Sequence, residues 1–277
     1  MAINFTKNVI GVLDSTELTP QNYVNCLSAG EVEQFSLIRN LRRKHEWLAG
    51  RLSAKFLFLS GADTPGDPPA GELRLFTITH DTLAQFDSAA YRNIEVIRNS
   101  SPAGGPPQIS WVSGTASKSV AISHTAGLAC ALLGSGATFS VDIETCHSRV
   151  PEFRQHNFTS QERAWVDFSS YSSNIDSDWL YTLLWSAKEC LLKTPMFEYV
   201  TLWDLPSLEV SILTASDKLS AIHRMSELGE RFLELDVRVN LRNQMTGQSR
   251  STPLRIAVSG TPNLVLTAIT QLNGITT

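Results

Sequence analysis

No Cys-x-x-Cys pair occurs in the 277 residues, and Cys26, Cys130, Cys146 and Cys190 are scattered along the chain. That spacing excludes a small disulfide framework and the common zinc ribbons, and it fits reduced thiols in a cytoplasm. Cys146 and His147 are adjacent but lack the second ligand pair of a zinc site. Long apolar runs are missing too. The start, MAINFTKNVIGVLDS, holds too few consecutive apolar residues for a secretory h-region, and no later run approaches a membrane span. The expectation is a protein that stays in the cytoplasm. Positive charge is also short: the formal net charge is −4, without the broad cationic surface that a nucleic-acid backbone demands. Any phosphate is therefore expected at a local cluster, and neither nucleic acid nor membrane is an expected partner. What is present is ordinary for a globular chain, with 42% apolar and 18% charged residues, which excludes wholesale disorder.

Two stretches dense in turn residues, 61–71 (GADTPGDPPAG) and 99–108 (NSSPAGGPPQ), read as surface loops. Residues 31–59 carry apolar side chains at helical spacing, whereas VSILTAS and LELDVRVNLR alternate as strands do. Helices and strands are thus interspersed. An internal repeat organises them. Residues 47–55 (WLAGRLSAK) and 185–193 (WSAKECLLK) share Trp, Ala and Lys at matching offsets, and 121–125 (AISHT) is echoed by 257–261 (AVSGT). Trp47 to Ala121 spans 74 positions and Trp185 to Ala257 spans 72. A third, weaker match pairs 27–31 (LSAGE) with 158–162 (FTSQE). Two related units in one chain pair through like surfaces about a pseudo-twofold axis, as subunits of a C2 dimer do. The expected fold is therefore α+β, with similar subdomains near 1–135 and 136–277 and the active site in the cleft between them.

Residues 138–145 (TFSVDIET) read as a strand on which period-2 alternation puts Asp142 and Glu144 on one face, with Val141 and Ile143 on the other. Paired carboxylates suit a hard cation such as Mg2+, although a D-x-E pair alone is better read as a solvated strand edge. On 185–193, Glu189 and Lys193 fall one helical turn apart with Lys188 alongside, which taken singly is an exposed ion pair. Ser123 and His124 interrupt an apolar strand that continues as GLACALL. The repeat counterpart of His124 is Gly260, so the strand does not require an imidazole and function becomes the better explanation. In the same alignment Arg51 takes the place of Glu189, as though one copy presents a phosphate-binding cation and the other a metal-binding carboxylate.

The ordered set AISHT, SVDIE and WSAKECLLK resembles the three signature motifs of the 4'-phosphopantetheinyl transferases, in their larger, pseudo-dimeric, surfactin-synthetase-activating type. The match spans 121–193, and EWLAGRLSAK (46–55) extends it toward residue 27. The resemblance implies a monomeric, Mg2+-dependent holo-[acyl-carrier-protein] synthase. It would move the 4'-phosphopantetheine arm of coenzyme A to a serine of an acyl, peptidyl or aryl carrier protein, releasing 3',5'-ADP. It implies Asp142, Glu144 and Glu189 as metal ligands, and Ser123 and His124 at the nucleotide end. Arg51 would meet the 3'-phosphate, Lys188 and Lys193 would steady phosphate oxygens and the leaving group, and Glu189 would activate the carrier serine. One departure stands out. Family members carry a basic residue in a Gly-Lys/Arg-Pro turn, where this chain has Gly104, Gly105 and Pro106. Arg98 or Lys118 is the candidate substitute. A metal-dependent phosphodiesterase also fits a D-x-E pair with a distant glutamate, but it leaves the Ser-His motif and the repeat unexplained. A degenerate homologue that binds carrier protein or coenzyme A without transfer would explain the Gly105 departure; the intact Asp142, Glu144, Glu189 and Lys193 argue against it. The carrier and its pathway, whether fatty-acid, polyketide or nonribosomal-peptide, are not readable from the sequence.

Overall fold

The computed structural model describes residues 9–61, 73–97, 107–114, 117–134, 139–194, 207–214, 216–228, 232–242 and 249–269. Most of both turn-rich stretches, with Arg98 and Gly104 to Pro106, lies outside the described residues. The first sheet contains β1 (Val9–Asp14), β2 (Arg74–Ile78), β3 (Ile94–Ile97), β4 (Gln108–Trp111), β5 (Ser117–Thr125) and β6 (Leu128–Gly134), in the order β2-β1-β6-β5-β4-β3. The second contains β7 (Ser140–Thr145), β8 (Leu208–Ile212), β9 (Leu233–Arg242), β10 (Ser249–Thr261) and β11 (Leu264–Ile269), in the order β7-β11-β10-β9-β8. Among the described residues, five α-helices accompany the first sheet: α1 (Pro20–Tyr23), α2 (Ala29–Leu37), α3 (Leu41–Leu59), α4 (His80–Leu83) and α5 (Ser88–Arg92). Four of the described α-helices accompany the second: α6 (Pro151–Asn157), α7 (Ser160–Ser173), α8 (Ser177–Leu192) and α9 (Ser216–His223). The chain is a mixed α+β protein with two sheets. Among the described residues no helix is long and apolar enough to cross a membrane.

Set β2 aside, and strands β1, β6, β5, β4 and β3 correspond in order to β7, β11, β10, β9 and β8, with every pairing antiparallel in both sheets. The hairpin registers agree as well, since Thr125 pairs with Leu128 and Thr261 with Leu264. The expected single strand through SVAISHTAGLACALL is instead a two-residue hairpin. Ala126 (φ 43°) and Gly127 (φ 92°) turn the chain, and positive φ at both loop positions is what a right-twisted hairpin requires.

The helices explain the burial. Leu48, Leu52 and Phe56 on one face of α3 pack on Ile94, Val96, Val120 and Ala129, and Trp179, Leu183, Leu184 and Leu191 of α8 do the same on Val210, Val237 and Ile256. A third cluster belongs to neither half alone. Ile10, Val12, Ala121 and Leu132 from the first sheet meet Val141, Ile143, Leu266 and Ala268 from the second. Both faces of β1 are thus buried, which is why VIGVL reads as a nearly continuous apolar run.

The weakest of the three repeat matches carries the most detailed correspondence. Ser28 caps α2 and Thr159 caps α7, each in a capping box with the glutamate three residues on, Glu31 or Glu162. The second glutamate oxygen accepts a strand N–H: Val96 N to Glu31 Oε1 at 3.1 Å, Val210 N to Glu162 Oε1 at 2.8 Å. A fully buried lysine closes each network. Lys55 pairs with Glu31 and donates to Cys26 O at 2.9 Å; Lys188 pairs with Glu162 at 2.8 Å and donates to Asn157 O at 2.8 Å. The structural equivalent of Lys55 is therefore Lys188, and the helices align on Ser-Ala-Lys at 53–55 and 186–188. This corrects the Trp47/Trp185 alignment. Arg51 corresponds to Leu184 and Glu189 to Phe56, so the repeat does not pair Arg51 with Glu189.

Candidate functional site

Strand β7 opens the site. Its alternation places Val141 and Ile143 in the shared core and Asp142 and Glu144 on the opposite face, as the D-x-E spacing predicts. Asp142 is 2% exposed and joins the two halves. Its Oδ1 accepts from Ser123 Oγ of β5 at 2.7 Å and from Lys193 Nζ, just past α8, at 2.6 Å. Lys193 also donates to Ser123 Oγ at 3.2 Å. Asp142 Oδ2 is buried with no hydrogen-bond partner among the described residues. An orphaned carboxylate oxygen is costly, so it marks a place where a ligand is wanted.

Two further carboxylates face the same region. Glu144 accepts from Trp185 Nε1 at 3.2 Å, and its carboxyl is pushed up to about 7 by burial first and then by Asp142, with Glu189 adding and Arg149 opposing. Burial and Asp142 likewise raise Glu189, against Lys193. Burial alone would lower Lys193, but Asp142, Cys190 and Glu189 together hold its ammonium above the ordinary value. Mutual influence among Asp142, Glu144 and Glu189 shows that they share one electrostatic neighbourhood, with acid in excess of base. As the side chains stand, no group of three His, Cys, Asp or Glu among the described residues is arranged to hold a metal ion. The donor set nevertheless fits a hard divalent cation: three carboxylates, one with a vacant oxygen, and two whose proton affinity is raised by burial and by the neighbouring carboxylate.

Glu144 also makes a prediction about pH. Its folded-state value lies above the ordinary 4.5, so between those values the metal-free fold binds a proton that the unfolded chain has released. The corresponding stability, about 3 kcal/mol, is complete below the ordinary value and lost as pH rises through about 7. Urea unfolding at pH 5 and pH 8 should show this loss in the wild type and a flatter profile in Glu144→Gln. Parallel profiles would remove Glu144 as the cause.

The other expected site residues are distributed differently. Ser123 and His124 are neighbours on β5 and so face opposite ways. Ser123 joins Asp142 and Lys193, whereas His124 turns toward α3, its Nδ1 3.4 Å from Glu46 Oε2. Burial, with Arg43 and Lys193 in range, lowers the His124 pKa against the pull of Glu46. Arg51 is enclosed at 6% exposure, its Nε 3.7 Å from Glu31 Oε1 and its guanidinium 4.6 Å from the Trp47 ring. Lys188 is held in the Glu162 network. Both were expected at phosphates; the structure instead builds them into the cores of their own halves, because each lies on the inward face of its helix. Lys118 lies over the Phe58 ring at 5.5 Å. Sequence reasoning missed two features. Arg149 is buried beside Glu144, and a cavity of about 450 Å³ is lined by Ser15, Thr16, Leu41, Arg42, His45, Ala126 and Gly127. The basic run Arg42-Arg43-Lys44-His45 was the available signal for the second.

Gly260 needs its own explanation, since the functional reading of His124 leaned on it. A Cβ there would meet Leu264 O at 3.0 Å and Trp179 Cζ2 at 3.3 Å, and the Trp179 indole donates to Thr261 O at 2.9 Å. Glycine is present because the indole lies against the strand. Gly260→His should therefore cost about 1–3 kcal/mol in urea unfolding, with the slope unchanged. A variant as stable as the wild type would show that the indole moves aside freely.

No protein-family model and no curated protein matches this chain. The functional reading rests on the motifs and on the geometry of the site.

Proposed function

We propose that this protein is a 4'-phosphopantetheinyl transferase, moving the arm of coenzyme A to a carrier-protein serine in a cleft between two halves related by a pseudo-twofold axis. The observation that carries the reading is Asp142: one oxygen ties Ser123 of the first half to Lys193 of the second, and the other is buried and vacant. Matching strand order in the two sheets supports the symmetry.

Asp142, Glu144 and Glu189 would hold Mg2+, which when bound neutralises the pyrophosphate and stabilises charge on the leaving oxygen. Glu189, half-buried and with a raised affinity for protons, takes the proton of the carrier serine. The serine oxygen forms its bond to the β-phosphorus as the bond to 3',5'-ADP breaks. Lys193, fully cationic in this setting, meets the developing negative charge. The nucleotide end lies on the α3 side. There the β5–β6 turn, two residues past His124, lines a cavity together with Arg42 and His45. Arg42, which also pairs with Glu46, takes the role first expected of Arg51.

The deciding experiment incubates the full chain with Mg2+, coenzyme A and a panel of apo carrier proteins. A mass gain of one phosphopantetheine arm on a carrier serine is the expected result. Coenzyme A cleaved without carrier would favour a phosphodiesterase, and carrier or coenzyme A bound without a mass gain would favour a binding-only homologue.

A further inference from the structure

Arg149 lies between β7 and α6 with only 7% of its side chain exposed. Its guanidinium carbon stands 4.7 Å from the Phe153 ring and 5.4 Å from the Trp185 ring, so two aromatic faces fix its plane. Neither Nε nor Nη2 has a hydrogen-bond partner among the described residues. Those two nitrogens share one edge of the guanidinium, and their parallel N–H bonds match two oxygens of a carboxylate or phosphate. The nearby carboxylate does not fill that edge. Glu144 Oε2 is 4.0 Å from Nη2, beyond hydrogen-bond distance, and Glu144 Oε1 is engaged by Trp185 Nε1 at 3.2 Å. A buried, permanently charged group with two open donors needs an acceptor, and the described residues do not supply one.

We propose that Arg149 is an oxyanion-binding residue whose open edge takes two oxygens of the coenzyme A pyrophosphate. The assignment rests on the transferase reading, because that reading brings a pyrophosphate to the carboxylate set that Glu144 belongs to. An acidic site that must accept a dianionic pyrophosphate diester benefits from a cation beside its carboxylates. Arg149 provides it and offers the two parallel N–H donors of its unpartnered edge to the oxygens. Lysine would be a poor replacement, since a point charge lacks the two parallel donors.

The test is calorimetry on the full chain with inorganic pyrophosphate at saturating Mg2+, and separately with Mg2+ alone, for the wild type, Arg149→Lys and Arg149→Met. Arg149→Met should weaken pyrophosphate about 30-fold, as expected for losing charge-assisted hydrogen bonds, while Mg2+ alone binds within about threefold of the wild type. Arg149→Lys should recover only part of the loss, and it carries the test if Arg149→Met does not fold. Unchanged pyrophosphate affinity overturns the proposal. So does an equal loss for Mg2+ and pyrophosphate, which would make Arg149 a residue that orients Glu144. Scored beside the carrier assay, the two readings separate. A wild type that modifies carriers but whose pyrophosphate binding ignores Arg149 sinks Arg149 alone. A wild type that modifies none, yet loses pyrophosphate in Arg149→Met, sinks the transferase and leaves an oxyanion site.

Discussion

Asp142→Asn is expected to lower transfer to the carrier protein by about 10³-fold, the scale of losing one preorganised electrostatic contact to the transition state. Asparagine keeps the volume and leaves an oxygen for Ser123 and Lys193, which approach Oδ1 at 2.7 and 2.6 Å. What it removes is the charge, and it puts an amide donor where the vacant Oδ2 stands. The fold should therefore survive better than in Asp142→Ala, where Lys193 loses its ion-pair partner outright. Mass spectrometry of the carrier gives the rate, and far-ultraviolet circular dichroism with thermal melting reports the fold. Turnover within about threefold of the wild type, in a folded variant with unchanged Mg2+ affinity, would remove Asp142 from the chemistry.

Period-2 alternation made the faces of β7 legible in the sequence, because a strand offers two sides and the residues differ sharply between them. Asp142 and Glu144 fell where expected for that reason. The same rule, applied to β5, would have separated Ser123 from His124, yet adjacency in sequence suggested a shared role. Helical positions were harder. Lys188 and Lys193 both lie on the WSAKECLLK segment, and spacing alone does not say which lysine enters the core and which reaches Asp142. Only the packing of α8 against α7 decides it, by placing Glu162 opposite Lys188. Two tryptophans at matching offsets outweighed the shared Ser-Ala-Lys, although the latter marks the equivalent buried cations. Arg149 left no signal. A single arginine in a loop acquires meaning only once Phe153, Trp185 and Glu144 have been folded around it.

Glu162→Gln is expected to cost about 3–5 kcal/mol of stability, because it strands the fully buried Lys188 ammonium without its counter-charge. Burial drives Glu162 up and Lys188 down in proton affinity, and each is opposed mainly by the other, so neither is comfortable alone. The glutamate does more than pair. It accepts from Thr159 N at 2.8 Å to cap α7 and from Val210 N at 2.8 Å to anchor β8, and glutamine can satisfy only part of that set. Lys188→Met should cost less than Glu162→Gln. Methionine keeps the packing beside the Phe158 ring, and the carboxylate left behind keeps both backbone donors. The double variant Glu162→Gln with Lys188→Met should then be more stable than Glu162→Gln alone, since removing the stranded cation relieves its largest penalty. Urea midpoints for the four proteins complete the cycle. Glu31→Gln, with Lys55→Met, should repeat the pattern in the first half, where Ser28, Val96 and Cys26 occupy the corresponding places. If Glu162→Gln shifts the unfolding free energy by less than about 1 kcal/mol, Lys188 is neutral in the fold and the network is held by its backbone bonds instead. A double variant no better than Glu162→Gln would point to the same conclusion, because the cation would then not be the source of the cost.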